Sequence, residues 1–323
     1  MDERLIQYKD GWPFYPVTFP ITSADGLLFE DLQLEQLVEV FNKNRIKSAY
    51  VCSMQNYNFL ERCSLLEHLC IELNVSTKHY STLTKKQNRF VREYNIDSLY
   101  GLSKIKSISI IDLEKPFITS KIQIDLSKFA QLEMFCGDYK YAKRICEAQH
   151  LKTLWLNYYT SPNVEPLSSL RCLDTLNLTS SKLESLAGCE KLQGLQCLYL
   201  HCNRKLTDIS ALRKLKKSLK SLVIENCGKI QDFSVLGELE SLESLTIYGN
   251  NTVESLSFID QLNHLKTFSF TVNVLNGDLT PCTKLQHVFC ATNRKHYNFK
   301  NSELPKGIYV RGNENITLWR RLE

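Results

Sequence analysis

The sequence has 323 residues, of which 43% are hydrophobic and 23% charged, and its 40 basic and 35 acidic residues give a net charge of +5. This composition is ordinary for a soluble protein, and the charge excess is too small to indicate a clustered nucleic-acid-binding stripe. Because the N-terminus lacks the apolar core of a secretory signal, and no stretch approaches the roughly 18 apolar residues of a membrane span, we expect a cytoplasmic protein with no membrane partner and with reduced cysteines.

The N-terminal region differs from the rest of the chain. Residues 1–45 carry no repeat, and the apolar side chains of 32–40 have helical spacing. A stack of repeats needs an atypical terminal unit with a polar outer face, so 1–45 is predicted to be an N-terminal cap. Two degenerate strands are predicted next, beginning at Ile46 and Leu66, within a region of degenerate repeats over 46–103.

A basic insertion at about 74–94 interrupts these degenerate repeats. A solvated loop is the favoured interpretation, because runs of charge usually face water. The alternative is nucleic-acid or acidic-ligand binding, since aromatic residues interleave with the basic ones. The basic residues of this alternative site are Lys85, Lys86, Arg89 and Arg92.

Residues 104–293 contain a phrase that returns at regular intervals. At Leu173 it reads Leu-Asp-Thr-Leu-Asn-Leu, and from Leu151 onward successive starts lie 22, 22, 24, 23, 23 and 20 residues apart. Positions 1, 4 and 6 of the phrase are apolar, which is the alternation of a half-buried strand. A fixed period of this length indicates one small unit stacked many times. The starts are Ile105, Leu132, Leu151, Leu173, Leu195, Leu219, Leu242, Leu265 and Leu285.

Position 9 of the later repeats carries residues that suit the sharp turn after a strand. A buried amide there both donates and accepts, so it can satisfy backbone groups that the turn leaves unpaired. The residues are Asn203, Cys227, Asn250, Asn273 and Asn293.

The pattern L-x-x-L-x-L-x-x-N/C resembles the leucine-rich repeat family. The second half of each unit, such as Leu206-Thr-Asp-Ile-Ser, is similar to the short repeats of bacterial internalins and of eukaryotic phosphatase-regulatory proteins. The resemblance implies an α/β solenoid: a leucine-rich repeat arc with a parallel concave β-sheet and short 3₁₀ turns or loops on the convex side. Residues 294–323 are then a C-terminal cap.

In such a sheet the odd strand positions point out of the concave face. Aromatic side chains ringed by polar ones are typical of interface hot spots, so we expect a protein partner on this face. The alternative is that the tall side chains only pack on one another along the sheet. The predicted partner-binding residues are Trp155, Tyr158, Tyr199, Tyr248, Asp138, Asn157, His201 and Glu225.

Motifs of catalysis and metal binding are absent from the sequence. No phosphate loop, nucleophile elbow or H-E-x-x-H run occurs, and Cys63, His68 and Cys70 lack a second pair of zinc ligands. His201 and Cys202 are adjacent on a predicted strand, so their side chains are expected on opposite faces. We therefore expect no enzyme activity, no cofactor and no metal.

The function predicted from the sequence is a non-enzymatic protein-interaction module. An inhibitor or immunity-type protein and a targeting subunit both fit a stand-alone repeat protein, and the sequence does not choose between them. Binding of nucleic acid through the basic insertion is the unfavoured alternative, and the oligomeric state stays open.

Overall fold

The computed structural model describes residues 5–6, 26–29, 34–52, 54–73, 90–112 and 118–307. The chain divides into two compact units, one reaching Leu151 and the other beginning at Lys152. The division falls inside the regular repeats predicted over 104–293. Each unit consists mainly of short parallel strands joined by 3₁₀ turns.

The first unit begins with a small helical element and continues as a sheet. Helix α1 (Leu34–Lys43) lies in the predicted N-terminal cap and buries Leu37, Val38 and Phe41, as the helical spacing predicted. The described residues of this unit form the strands β1 (Leu5–Ile6), β2 (Gly26–Phe29), β3 (Ser48–Cys52), β4 (His68–Leu73), β5 (Phe90–Glu93), β6 (Ser107–Asp112), β7 (Ile118–Lys121), β8 (Ile124–Asp125), β9 (Met134–Asp138) and β10 (Ala142–Lys143).

The order of the main sheet in this unit is β1-β2-β3-β4-β6-β9. The β1–β2 pair is antiparallel and the remaining pairs are parallel. The apolar residues Ala49, Leu69, Ile108 and Phe135 stand in register and are almost fully buried. Two separate ribbons pair β5 with β7 and β8 with β10.

The described residues of the second unit form the strands β11 (Thr153–Asn157), β12 (Thr175–Thr179), β13 (Cys197–His201), β14 (Ser221–Glu225), β15 (Ser244–Tyr248), β16 (Thr252–Val253), β17 (Thr267–Phe270), β18 (Asn273–Val274) and β19 (His287–Cys290). Seven of these strands form a parallel sheet in the order β11-β12-β13-β14-β15-β17-β19. A two-stranded ribbon pairs β16 with β18.

The register of these strands aligns equivalent positions of the repeats. Position 4 forms one buried column, because every strand pairs with the next without a shift. Each repeat thereby covers the apolar side chains of its neighbour, which is how a stack of small units acquires a core. The column consists of Leu154, Leu176, Leu198, Leu222, Leu245, Phe268 and Val288.

The outer side of the second unit carries short 3₁₀ helices, as the fold prediction expected. Each of several helices begins where a side-chain oxygen accepts a backbone N–H two residues later: Asp208 from Ser210 at 2.8 Å and Asp232 from Ser234 at 2.8 Å. This contact explains the Asp-x-Ser phrase of the repeats, since the acidic residue satisfies an otherwise unpaired donor. The helices span Glu165–Leu167, Cys189–Lys191, Ser210–Leu215, Ser234–Glu238, Ser257–Gln261, Thr280–Lys284 and Asn301–Glu303.

The buried turn residues at position 9 satisfy backbone groups, as expected. Asn203 is fully buried, donates from Nδ2 to the Leu178 carbonyl at 2.8 Å and accepts the Ser181 N–H at 2.9 Å. In the next repeat the Cys227 thiol donates to the Leu200 carbonyl at 3.6 Å. The amide and the thiol thus fill equivalent places in successive turns.

The predicted position is wrong in the repeat that follows. Asn250 is exposed, and its neighbour Asn251 enters the interior, donating to the carbonyls of Cys227 at 3.1 Å and Ile230 at 2.9 Å. Gly249 precedes them with φ +136°, a conformation that carries the chain one residue further before it turns inward. Two other predicted members are not fully buried: Asn273 and Asn293.

Two further sequence predictions lie largely outside the described residues. Residues 74–89 of the basic insertion are outside them, as are residues 308–323 of the predicted C-terminal cap. Before that point, Lys306 forms an antiparallel bridge with His287.

Candidate functional site

The seventh position of the repeats forms a continuous row across five strands of the second unit. Its members are paired in register on neighbouring strands, so successive side chains lie about 4.8 Å apart. Each member is partly exposed. We call this set the position-7 row; it consists of Asn157, Thr179, His201, Glu225 and Tyr248.

Trp155 and Tyr199 lie two positions earlier on their strands and are not exposed. Each retains only 5% of its surface, and the Tyr199 hydroxyl lies 3.5 Å from the Ser221 Oγ on the adjacent strand. The expectation that both rings stand free on the sheet surface is wrong, because strands this close allow tall side chains to cover one another. By strand alternation these two aromatic residues lie on the same face as the row, next to Asn157 and His201.

Tyr158 is exposed to 56% and immediately follows the row member Asn157. Its backbone has φ +56°, and its N–H donates to the Thr179 carbonyl at 2.9 Å. A bulky residue is rarely found in this left-handed region, since its Cβ crowds the backbone. The turn geometry is common to several repeats, but the bulky aromatic residue at this turn is particular to Tyr158.

The same left-handed turn recurs at position 8 of three more repeats. Ser180, Cys202 and Asn226 have φ of +52°, +55° and +55°. Each donates its N–H to the position-7 carbonyl of the following repeat, at 2.8 Å in all three cases. The turns therefore link neighbouring repeats beyond the end of the sheet and fix the direction of each position-8 side chain.

His201, Cys202 and Glu225 form a cluster at one of these turns. His201 Nδ1 lies 3.2 Å from Glu225 Oε2, and Cys202 Sγ lies 3.2 Å from His201 Nε2. The expectation that His201 and Cys202 point to opposite faces is wrong. That rule holds within a strand, and Cys202 follows the end of β13 in the left-handed conformation.

The other predicted site residues are placed as follows. Asp138 belongs to the first unit, is mostly buried, and has its carboxylate 3.7 Å from the Lys140 ammonium. The side chains of the alternative basic site, Lys85, Lys86, Arg89 and Arg92, lie outside the described residues. The backbone of the last forms part of β5.

The described residues hold neither a cluster of metal ligands nor a membrane-spanning helix. No group of three or more His, Cys, Asp or Glu side chains there is arranged to hold a metal ion. None of the helices in the same part of the chain is long and apolar enough to cross a membrane.

Comparisons with known proteins give structural neighbours only. The sequence matches no protein-family model and no curated protein. The internalin InlF of Listeria monocytogenes has a TM-score of 0.51 and 18% identity, with 82% of this chain and 73% of that chain covered. TLR13 in its complex with ssRNA13 has a TM-score of 0.54 and 15% identity, with 83% of this chain and 44% of that chain covered.

Likeness at this level of identity concerns the fold. It agrees with the parallel strands, the 3₁₀ turns on the outer side and the buried Asn and Cys residues of the turns. The chain therefore has the leucine-rich repeat fold, built from short repeats.

Proposed function

We propose that the protein is a binding module that holds a protein partner on the strand-bearing face of its second unit. The observation that carries this proposal is Tyr158, a largely exposed aromatic residue at a left-handed turn that a smaller side chain would occupy at lower cost. The turn itself recurs in neighbouring repeats, whereas a bulky aromatic side chain at this turn is particular to Tyr158. Tyrosine is also among the residues most enriched at interface hot spots.

The position-7 row supplies polar groups around this aromatic residue. Its five members span about 20 Å at 4.8 Å per strand, and each remains partly accessible. The row offers amide, hydroxyl, imidazole and carboxylate groups, which suits a polar rim around an aromatic anchor. Trp155 and Tyr199 border the row on the same face but are almost fully covered. They and Asp138 of the first unit stay predictions as contact residues.

The proposed role is that of a non-enzymatic cytoplasmic protein. An inhibitor or immunity-type role and a targeting role both remain compatible with such a surface. Binding of nucleic acid through Lys85, Lys86, Arg89 and Arg92 is the alternative function, and it would depend on ionic strength much more steeply than an aromatic protein interface.

The test is a pair of single substitutions that remove exposed apolar side chains of similar exposure. Tyr158→Asn removes the ring and supplies a residue that tolerates the left-handed turn, so the thermal midpoint should not fall. Leu275→Ala removes a side chain that is 51% exposed outside the row. A photo-reactive residue at Thr179, a partly exposed member of the position-7 row, is introduced into the wild type and into both variants and cross-links a protein that lies against the row in native extract.

We expect Tyr158→Asn to reduce capture of the cross-linked partner at least tenfold and Leu275→Ala to leave it unchanged. Equal capture by wild type and Tyr158→Asn would contradict the proposed face. Capture of nuclease-sensitive material that disappears at high salt would instead favour the alternative function.

A further inference from the structure

We propose that Cys202 is a nucleophilic thiol, activated by His201 and Glu225, and that it is a site of oxidation by hydroperoxides. The three side chains lie in series, with Sγ 3.2 Å from Nε2 and Nδ1 3.2 Å from Oε2. A nucleophile, a base and a group that orients the base are the parts of an activated nucleophilic site.

The contact with Glu225 determines which nitrogen of the His201 imidazole carries the hydrogen. A carboxylate only accepts hydrogen bonds, so the imidazole nitrogen that faces it, Nδ1, carries the hydrogen. In the neutral ring Nε2 is then the acceptor, and Nε2 is the atom that faces the thiol. His201 is therefore oriented to receive the Cys202 proton.

The backbone conformation of Cys202 allows its thiol to contact the His201 imidazole. Its left-handed φ of +55° follows directly on the end of β13, and its N–H donates to the Glu225 carbonyl at 2.8 Å. The strand that supplies the carboxylate thus also holds the turn that presents the thiol. Cys202 is itself partly exposed, and the His201 and Glu225 side chains retain 31% and 34% of their surface, so solvent and small solutes reach the cluster.

The position of the cluster favours a small reactant. It lies on the surface of an open sheet, whereas specific organic substrates are usually held in enclosed clefts. A hydroperoxide needs no such cleft. Thiolates that are accessible and charge-assisted are also the cysteines most readily oxidised to sulfenic acid.

The reaction proceeds by proton transfer and displacement. The thiol proton moves to His201 Nε2, and the thiolate attacks the terminal hydroxyl oxygen of the hydroperoxide. The S–O bond forms as the O–O bond breaks, and the leaving hydroxide or alkoxide takes the proton from the imidazolium to give water or an alcohol. Sulfur is oxidised to sulfenic acid and the peroxide is reduced, so no further reactant is required.

Other cysteines of the chain serve as internal controls. Cys172 is exposed and makes no sulfur-mediated hydrogen bond among the described residues. Burial raises the pKa of Cys189 and Cys282 to about 12, which keeps these buried thiols protonated. Reaction at the latter two would report unfolding rather than surface reactivity.

The experiment measures the rate of modification by iodoacetamide at each cysteine of the full-length protein, by peptide-resolved mass spectrometry at pH 7. An ordinary thiol is only about 3% ionised at pH 7, so full activation raises the rate by at most about 30-fold. We expect Cys202 to react about tenfold faster than Cys172.

Variants separate activation from exposure. His201→Gln should lower the rate at Cys202 to that of Cys172, and Glu225→Gln should lower it partially, with the rate at Cys172 unchanged in both. A wild-type Cys202 no faster than Cys172 overturns the proposal without recourse to any variant. An excess that survives in His201→Gln overturns the role of the imidazole.

A second probe tests the class of reactant. Treatment with hydrogen peroxide followed by dimedone, which traps sulfenic acid, should label Cys202 before Cys172. Fast alkylation of Cys202 without preferential dimedone labelling would exclude hydroperoxides as its reactants.

Discussion

At the scale of single residues, two glutamates of the first unit have carboxyl pKa values that are shifted in opposite directions. Glu67 lies between the ammonium groups of Lys47 at 2.8 Å and Lys106 at 2.7 Å. Hydrogen bonds from Lys106 and then Lys47 lower the pKa of Glu67 to about 2. Glu72, five residues further along, is buried, and burial raises the pKa of its carboxyl to about 7.

These pKa values predict opposite effects of pH on the free energy of unfolding. A lowered pKa in the folded state contributes stability above the ordinary value of 4.5, and this contribution is lost as pH falls toward 2. A raised pKa contributes stability below 4.5, which is lost as pH rises through 7. We expect Glu67→Gln to destabilise at pH 7 by about 1 kcal/mol, after allowance for solvent screening, and to be neutral near pH 2.

Glu72→Gln provides the matched comparison. It should stabilise the protein at pH 8 by about 1–2 kcal/mol and have little effect at pH 4, because the amide replaces a carboxyl that is protonated there. Urea denaturation of both variants across this pH range measures the two profiles. If both substitutions changed the free energy of unfolding with pH in the same way, the opposite pKa shifts of Glu67 and Glu72 would be refuted.

At the scale of the elements, a glycine sets the approach of one 3₁₀ helix to the preceding repeat. Gly188 is buried with φ +99°, and a Cβ built on it would lie 2.4 Å from the Glu165 backbone nitrogen. Both the conformation and the contact exclude a larger residue. The exposed Gly228 has nothing within 4 Å of the equivalent Cβ.

We therefore expect Gly188→Ala to lower the free energy of unfolding by about 2–4 kcal/mol, since backbone must move to admit the methyl group. Gly228→Ala should change it by no more than about 0.5 kcal/mol. Chemical denaturation monitored by circular dichroism measures both. Similar losses in the two variants would show that the close approach at Gly188 is not the cause.

The strands and outer turns of the repeats could be predicted from the sequence, because alternating apolar positions and the Asp-x-Ser phrase each follow from local chemistry. The left-handed turns at position 8 could not. Asn226 and Gly249 are residue types that favour positive φ, but Tyr158, Ser180 and Cys202 carry no such signal. The strand alternation was consequently extended one residue too far, and the contact between His201 and Cys202 was missed.

The burial of Trp155 and Tyr199 also could not be predicted from the sequence. Alternation assigns a side chain to a face of the sheet, but the exposure on that face depends on the size of the neighbours in the adjacent strands. Tyr158 is not covered by side chains of the adjacent strands in this way, because it lies past the end of β11.

At the scale of the whole molecule, each repeat contacts chiefly its neighbours, so the effect of a core substitution should remain local. Leu198 is fully buried in the position-4 column of the second unit. We expect Leu198→Ala to cost about 2–5 kcal/mol, as truncations of buried leucine do. Hydrogen exchange followed by mass spectrometry should show the largest loss of protection in β12, β13 and β14.

Strands β3 and β4 of the first unit are the reference in the same experiment. Their amides should keep the protection of the wild type when Leu198 is replaced. A uniform increase in exchange over both units would mean that the chain unfolds as one cooperative block, contrary to this expectation.

The left-handed turns of position 8 keep the free energy of unfolding below the highest value that this fold could reach. An L-residue in this conformation costs about 1–2 kcal/mol, whereas glycine gives back only about 0.5–1 kcal/mol in chain entropy. Replacement of Tyr158 or Ser180 by glycine would thus release about 0.5–1 kcal/mol at each turn. Glycine at these turns would therefore raise the free energy of unfolding. The substitution would also remove the side chains to which we assign function, the ring of Tyr158 and the thiol of Cys202.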